Sequence, residues 1–392
     1  MQASLPLANL RVLDLSQGIA GPSCGGLFAE YGARVVKIEP PSGDWMRPLG
    51  PGCEGNSASF LYYNRGKESL AIDLKADGAV EVILSLAAQS DVLIENNRPG
   101  VSERLGFGFE AVRQRNPKIV YLSVSGLGQT GPDIKVPLTD TVAQARSGLM
   151  SINRGRADVP SKVDTTIIDA LTGLYAFQAA TMALWGDRTQ RTARHLDVSL
   201  LQSAAAIQGP KIMEYGILNR MPEKLNAPAG SYPTADGWIA ISLVRETEWQ
   251  TICKLIDRPD LCEGRFATFA DRAKVTGEMT EALDAIFRKR PTADWAALLR
   301  EAGILVSKIN NFGDVIGDAQ MVATHGTPIM PVTASGLTAP VARTPGQRPH
   351  EALSPKLGEH TRRLLAEVGW DEAQITAAIA AGGVAVADDD KA

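Results

Sequence analysis

One carboxylate, Asp169, stands at the start of a long apolar run in this sequence. The stretch 165–185 reads TTIIDALTGLYAFQAATMALW and is rich in Ala, Leu and Met after the aspartate. These residues favour a helix, Gly186 suits its C-terminal end, and the lack of a polar stripe is typical of a core helix. An aspartate here suits the helix N-cap and the positive end of the helix dipole. The residues alone leave two interpretations of Asp169 open: a helix cap or a catalytic carboxylate.

The cysteines and histidines do not support metal or disulfide chemistry. Neither residue type shows the CxxC, HxxxH or HExxH spacing of metal sites. The cysteines are Cys24, Cys53, Cys253 and Cys262, and the histidines are His195, His325, His350 and His360. Scattered cysteines of this kind predict reduced thiols in a cytoplasmic protein without a metal.

Composition and charge exclude further function classes. The chain has 392 residues, 44% apolar and 21% charged, as in a globular protein with a full core and room for two domains. A net charge of −4 gives no electrostatic basis for binding nucleic acid or an anionic membrane. The sequence has no uninterrupted apolar run of about 18 residues and no basic leader, so we expect neither a membrane span nor export.

The elements that must position Asp169 begin with alternating strands and helices over the first 125 residues. The predicted strands are 11–16, 34–40, 69–74, 91–96 and 118–125. This alternation predicts an α/β fold with an open, mostly parallel, Rossmann-like sheet and helices on both faces. In such sheets ligands bind beyond the carboxyl ends of the strands. Because SQGIAGPSCGG after the first strand does not match GxGxxG, a nicotinamide dinucleotide site is not supported.

Changes in composition divide the chain into three predicted parts. Residues 1–218 form the first part of a large domain, and 219–326 form a linker and a smaller α/β domain. The linker is indicated by the Pro, Gly, Asn and Ala content of 219–237. Residues 327–392 are an extended, proline-rich return segment and C-terminal helices that rejoin the large domain.

Blocks of sequence along nearly the whole chain resemble the class III CoA-transferases, which include formyl-CoA transferase and the carnitine CoA-transferases. The blocks lie in order at 12–47, 64–75, 91–112, 120–132, 140–150, 168–180 and 357–369. The resemblance implies a Rossmann-like large domain built from both ends of the chain and a small domain from its middle. It also implies that two such chains interlock as an obligate homodimer.

The resemblance gives Asp169 a role, because the family's aspartate in the block matching IDALTG is the nucleophile. It would attack an acyl-CoA thioester to form a mixed anhydride, and the released CoA would then form an aspartyl-CoA thioester. An incoming carboxylic acid would reverse both steps. The helix N-terminus would keep Asp169 ionised, and Asp140, which opens another block, would face the same site as a substrate-binding residue.

The resemblance makes CoA and acyl-CoA substrates rather than permanently bound cofactors. CoA phosphates need cations or helix N-termini along their path. The expected CoA contacts are Gln17, Ile19, Leu74, Lys75, Asn96, Arg98 and Arg104. Gln17 and Ile19 would lie at the thioester end, and the others at the nucleotide and phosphates. For Lys75 and Arg104 a solvated surface charge is the alternative.

Two other functions stay open on the same scaffold. In the racemase branch of the family a histidine precedes the position of Asp140, whereas Thr139 stands there in this chain. Racemisation by two bases needs a second titratable group near the α-carbon, so Thr139 disfavours an acyl-CoA racemase or isomerase. A non-catalytic CoA-binding protein is the other alternative, and a replaced Asp169 would have favoured it.

The sequence carries one indication of the acid that receives CoA. The segment 153–162, NRGRADVPSK, lies close in sequence to Asp169 and holds the cations Arg154, Arg156 and Lys162. These would suit a small dicarboxylate such as succinate, and a solvated surface loop is the alternative. A short NAPAGSYPTADG segment stands in place of the long glycine-rich lid of formyl-CoA transferase, so that lid is not expected here.

Overall fold

The chain forms two compact units in a computed structural model that describes residues 5–155, 158–186, 191–222, 226–347 and 351–387. One unit combines Met1–Ile212 with His325–Ala392, and the other is Met213–Thr324. The predicted small domain at 219–326 overlaps the second unit along most of its length.

The strands and helices are as follows. The strands are β1 Arg11–Asp14, β2 Arg34–Glu39, β3 Gly52–Cys53, β4 Asn56–Ser57, β5 Lys67–Ile72, β6 Val92–Glu95, β7 Val120–Ser125, β8 Arg194–Ser199, β9 Gly230–Pro233, β10 Trp238–Ser242, β11 Leu305–Lys308, β12 Ile329–Pro331, β13 Thr338–Pro340 and β14 Val384–Ala385. The helices are α1 Ala20–Glu30, α2 Ala58–Tyr63, α3 Ala79–Ala88, α4 Val101–Leu105, α5 Phe109–Arg115, α6 Asp140–Arg146, α7 Leu149–Ile152, α8 Ile167–Trp185, α9 Leu200–Ile207, α10 Gly209–Leu218, α11 Glu246–Leu255, α12 Phe269–Lys274, α13 Thr276–Phe287, α14 Thr292–Glu301, α15 Phe312–Ile316, α16 Ala319–Ala323, α17 Thr361–Glu367 and α18 Glu372–Ala380.

The first unit is built on a sheet with the strand order β14-β5-β2-β1-β6-β7-β8 among the described residues. The strands from β5 to β8 in this order are parallel, and β14 pairs antiparallel with β5. The predicted open, mostly parallel α/β sheet is confirmed. The sequence missed β14, because a strand of two residues shows no alternation. It placed β5 two residues late, because the strand starts with the charged pair Lys67 and Glu68.

Apolar side chains cover both faces of this sheet. Val12 and Leu13 of β1 illustrate the alternation, because each packs into a different core cluster. Residues of α3, α5 and α17 cover the face of Leu13, and residues of α1, α8 and α9 cover the face of Val12. The two layers fix the strands, so the loops at their ends have firm anchors.

The apolar run around Asp169 forms α8, which is 19 residues long. α8 packs closely on α1: a Cβ added to Gly173 would lie 2.6 Å from Ser23 Cβ and 2.8 Å from the Ala20 carbonyl oxygen. By length and composition alone, with a mean hydropathy of 1.3, α8 could also cross a membrane. Core helices of water-soluble proteins pass the same test.

The second unit has its own core around a three-stranded antiparallel sheet, in the order β11-β10-β9. Helices α11, α13 and α14 contribute the large buried side chains Trp249, Phe287 and Trp295. Both indole N–H groups are satisfied, because Trp249 donates to the Leu261 carbonyl (2.7 Å) and Trp295 to the Phe287 carbonyl (2.8 Å).

Candidate active site

A ligand crevice is expected between β1 and β6, where the strand order of the sheet reverses. From β1 the chain runs outward to β2 and β5 and then returns to β6 on the other side. Open α/β sheets bind ligands at the carboxyl ends of the strands at such a point. The segments that reach it are residues 16–19, here called the β1 loop, and residues 96–100, here called the β6 loop.

The two loops are joined to each other through Gln17 and Asn96. The N–H of Gln17 donates to Oδ1 of Asn96 (3.0 Å), and Nδ2 of Asn96 donates to the Gln17 carbonyl oxygen (2.7 Å). The structure thus brings together two residues that were predicted to contact CoA from separate parts of the sequence.

The predicted cations of the β6 loop region are exposed. Arg98 lies in the loop itself, and Arg104 lies in α4, where its Nη1 donates to the Gly100 carbonyl (3.1 Å). Glu95, the last residue of β6, fixes the start of the β6 loop, because its Oε2 accepts a hydrogen bond from the Asn97 N–H (2.8 Å). Both guanidinium groups are accordingly presented to solvent by a backbone that is held in place.

The remaining predicted CoA residues have different surroundings. Ile19 is buried in a small cluster with Met46 and Phe60, and Leu74 packs half-buried against the large core. Lys75 is exposed, and its backbone N–H donates to Asp73 (2.9 Å). The side chains of Ile19 and Leu74 thus serve the core, while the Lys75 ammonium reaches solvent.

The N-terminus of α8 is capped by Asp140 and not by Asp169. Oδ2 of Asp140 accepts hydrogen bonds from the N–H groups of Ile168 (2.7 Å) and Asp169 (3.1 Å). Asp169 is the third residue of α8, and Thr166 occupies the N-cap position without a capping side-chain bond. The interpretation of Asp169 as the helix cap is therefore wrong, because a carboxylate 29 residues earlier in the chain fills that role.

Asp140 is held in turn by Gln144, one turn further along α6. Nε2 of Gln144 donates to Oδ1 of Asp140 (2.7 Å), and Oε1 of Gln144 accepts from the Val163 N–H (2.8 Å). Asp140 and Gln144 are both buried. Both oxygens of Asp140 thus accept hydrogen bonds within the fold, and its predicted contact with substrate stays a prediction.

The carboxyl group of Asp169 is half-buried, and its pKa is raised to about 7. Burial is the main cause, and the negative charge of Asp140 adds to it. The expectation that the helix N-terminus would keep Asp169 fully ionised is not met, because burial and the Asp140 charge outweigh it and raise the pKa of Asp169. Near neutral pH the Asp169 carboxyl group titrates.

Tyr63, which sequence reasoning missed, links the β1 loop to the start of α8. Its ring packs against the cluster that contains Ile19. Its side chain lies near Thr166 and in the electrostatic field of Asp169. Burial raises the pKa of Tyr63, so the phenol stays neutral. A tyrosine in an aromatic stretch of sequence carries no signal that separates this position from ordinary packing.

The cations proposed from sequence to bind a dicarboxylate are engaged with neighbouring acids. Nε of Arg154 lies 2.9 Å from Oδ1 of Asp158, and Nζ of Lys162 lies 2.8 Å from Oδ1 of Asp164. These four side chains are exposed, and Arg156 lies outside the described residues. The alternative of a solvated surface loop fits these charges better.

Among the described residues, no group of three or more His, Cys, Asp or Glu side chains could hold a metal ion. The four cysteines are free thiols, two of them buried.

Loops at the switch point of an open parallel sheet and a carboxyl group of raised pKa are both typical of α/β enzymes. The chain belongs to CoA-transferase family III, which it matches over residues 7–361. It is thus a class III CoA-transferase, and the family predicted from the sequence blocks is confirmed.

Individual members of the family are similar along nearly the whole chain. An acetyl-CoA:oxalate CoA-transferase of Acetobacter aceti is 31% identical over 382 residues, which cover 94% of this chain and 97% of the relative. A succinate–glutarate CoA-transferase of Agrobacterium fabrum is 30% identical, with coverages of 93% and 96%. The crystal structure of a CaiB/BaiF family protein from Brucella suis has a TM-score of 0.82 at 28% identity and covers 93% of this chain and 100% of its own.

Proposed function

We propose that this enzyme moves CoA from an acyl-CoA thioester to a free carboxylic acid, with Asp169 as the nucleophile. The observation that carries the proposal is that Asp169 has no capping role. Asp140 provides the cap of α8, while Asp169 is a half-buried carboxyl group in the first turn of the helix. A carboxyl group that is costly to bury and has no structural use is a candidate for chemistry.

The proposed reaction conserves the thioester through two covalent states of Asp169. The ionised carboxylate attacks the thioester carbonyl and releases CoA thiolate, which leaves a mixed anhydride. The thiolate attacks the aspartyl carbonyl, releases the donor acid and leaves an aspartyl-CoA thioester. The acceptor carboxylate then repeats both steps in reverse. The pKa of about 7 leaves a large ionised fraction at neutral pH and a more basic nucleophile than an ordinary carboxylate.

The two loops support one orientation of acyl-CoA, with its thioester end at the β1 loop. The N–H groups of Gln17 and Gly18 are occupied by Asn96 (3.0 Å) and by the carboxylate of Asp44 (3.1 Å). These amides are unavailable to phosphate, and a carboxylate beside them disfavours an anion. The exposed cations Arg98 and Arg104 favour the diphosphate at the β6 loop instead.

A small dicarboxylate is the proposed acceptor. The support comes from the relatives, whose names specify oxalate, succinate and glutarate as substrates. Arg154 and Lys162 add little support, because each is paired with an acid of its own loop. Acceptor choice would instead depend on the shape of the pocket, where single contacts shift discrimination by about 1–3 kcal/mol.

A transfer assay tests the function. The enzyme is incubated with acetyl-CoA or succinyl-CoA and, in turn, with oxalate, succinate, glutarate and a monocarboxylate such as propionate. Mass spectrometry should detect CoA esters of the dicarboxylates, formed faster than the ester of propionate. Loss of α-deuterium from a labelled acyl-CoA without any transfer would point to a racemase and overturn the proposal.

Arg104 is expected to bind CoA and not to take part in the chemistry. Arg104→Ala should raise KM for acyl-CoA roughly tenfold with kcat little changed, because a phosphate contact acts equally in the ground and transition states. Arg113→Ala is a matched control: this exposed arginine on α5 pairs with Glu110 (2.6 Å) and should leave both constants unchanged. A fall in kcat at constant KM would contradict the assignment.

We also propose that the enzyme is an interlocked homodimer, as its family resemblance implies. Support comes from apolar side chains that the single chain leaves exposed, such as Trp185 of α8 (68%) and Met213 and Ile217 of α10 (67% and 74%). Interlocked chains cannot part without unfolding, so dilution should never give a folded monomer. Sedimentation that shows a reversible equilibrium of native monomer and dimer would exclude interlocking.

A further inference from the structure

Six charged side chains are buried beneath the β1 loop. They form three ion pairs, with N···O distances of 2.8 Å for Asp14–Lys67, 2.8 Å for Lys37–Asp44 and 2.7 Å for Glu39–Arg47. The first two pairs are completely buried. Because cations and anions balance, the cluster has no net charge.

Asp14 and Lys37 stay charged despite their burial. Burial favours the neutral form of Asp14, yet Lys67 and Lys37 beside it hold its pKa below the usual range. Burial likewise favours neutral Lys37, but Asp44, Asp14 and Glu39 raise its pKa above the usual value. Burying an ion costs several kcal/mol, and apolar residues of similar volume are often as stable in its place. Stability alone is therefore a poor explanation for this cluster.

Lys37 and Asp44 bond directly to the β1 loop. Nζ of Lys37 donates to the Ser16 carbonyl oxygen (2.9 Å), and the Asp44 carboxylate accepts from the Gly18 N–H at 3.1 Å and 3.3 Å. The same carboxylate accepts from the Met46 N–H (2.9 Å) and from Nζ of Lys37 (2.8 Å). One ion pair thus ties the β1 loop to the segment that follows β2.

Ser16 and Gln17 of the β1 loop also form hydrogen bonds with residues outside it. The N–H and hydroxyl of Ser16 donate to Asp14, and the N–H and carbonyl of Gln17 pair with Asn96. Gly18 has a φ of +81°, which favours glycine over any other residue. The conformation of the loop is therefore fixed before any ligand arrives.

We propose that Lys37 and Asp44 are positioning residues of the transfer reaction, which fix the β1 loop so that it aligns the thioester end of acyl-CoA. The inference rests on the proposed function and concerns residues that touch no reacting atom. A preformed loop reduces the entropic cost of bringing the thioester carbonyl to Asp169. Loosening the loop should slow the chemistry more than it weakens binding of the CoA nucleotide, which the β6 loop would hold.

Asp44→Asn tests the proposal, because the amide adds a donor where Lys37 and Gly18 both need an acceptor. We expect kcat to fall about ten- to hundredfold, with the Kd for free CoA within about twofold of wild type. Arg47→Lys is the matched control. It disrupts the forked contact with Glu39 in the same cluster, but Arg47 bonds to no atom of the β1 loop. This variant should lose stability and keep kcat.

Several outcomes would overturn the proposal. If kcat of Asp44→Asn stays at the wild-type level, or falls only as far as that of an equally destabilised Arg47→Lys, the pair serves stability alone. If Asp44→Asn does not fold, amide hydrogen exchange of the wild-type protein tests whether the β1 loop is fixed. The Gln17 and Gly18 amides should exchange as slowly as those of β1, and fast exchange would contradict a fixed loop. Absence of transfer by the wild-type enzyme would instead refute the proposed function, which this exchange measurement does not depend on.

Discussion

Asp169→Asn should abolish CoA transfer, lowering kcat by roughly 10⁴-fold or more, while the protein stays folded and binds acyl-CoA. An amide cannot displace CoA from a thioester at a useful rate, so neither covalent state of residue 169 can form. The fold should tolerate the change, because Asp140 and not Asp169 caps α8. The measurement is the transfer rate beside calorimetric binding of acyl-CoA. Asp164→Asn, an exposed aspartate just before α8, is the control and should transfer CoA normally.

Isotope transfer gives an independent test of the same role. When an ¹⁸O-labelled acceptor acid attacks the aspartyl-CoA thioester, one of its oxygens becomes the bridging oxygen of the anhydride. CoA then attacks the acceptor carbonyl, and that oxygen stays on the aspartate. After a single turnover, mass spectrometry of the peptide around Asp169 should therefore show one ¹⁸O per active site. Label on Asp140 instead, or transfer retained by Asp169→Asn within about tenfold of wild type, would refute the nucleophile assignment.

The same variant should also change how stability depends on pH. The folded-state pKa of Asp169, about 7, lies above the ordinary value of 3.8, so between these pH values the folded chain binds more protons than the unfolded chain. Stability due to this group is accordingly lost as pH rises towards 7. Asp169→Asn lacks this loss. In urea unfolding it should be more stable than wild type at about pH 8, and this advantage should be smaller at about pH 5. An advantage that is independent of pH would contradict a raised pKa.

Much of the fold could be predicted because its signals are local. The strand–helix alternation of the first 125 residues predicts the parallel sheet, and the apolar run after Asp169 predicts α8. β14 could not be predicted, because its two residues become a strand only by pairing with β5 across the chain. The dependence of such a strand on a distant partner leaves no trace in its own sequence.

The residues of the candidate site could be predicted from the sequence, but the different roles of the two aspartates could not. Asp169 and Asp140 were both identified, yet only the fold shows that Asp140 caps α8. Contacts between segments 28 residues apart depend on how α6 meets α8, which sequence periodicity does not encode. Lys37 and Glu39 did carry a signal, because charged residues inside an apolar strand indicate buried ion pairs.

Asp140→Ala should be the most destabilising single change in the site. It leaves two N–H groups of α8 without their cap and removes the nearest acceptor of the buried Gln144 amide. Loss of the cap and of a buried partner together should lower the free energy of unfolding by roughly 2–5 kcal/mol. Urea unfolding measures this loss. Gln202→Ala, in the first turn of α9, is a control in which no capping side chain is removed and should change stability little.

Asp140→Asn separates capping from charge. Asparagine caps helices about as well as aspartate, so this variant should recover the part of the stability that Asp140→Ala loses with the cap, but not the bond that Oδ1 accepts from Gln144. It also removes the negative charge that raises the pKa of Asp169, whereas burial still acts. Since Asp169 must be ionised to attack, wild-type kcat/KM should rise with pH through about 7, and in Asp140→Asn this rise should move to lower pH. An unchanged pH profile together with an altered KM for the acceptor acid would instead show that Asp140 acts by contacting the substrate, as the family resemblance implied.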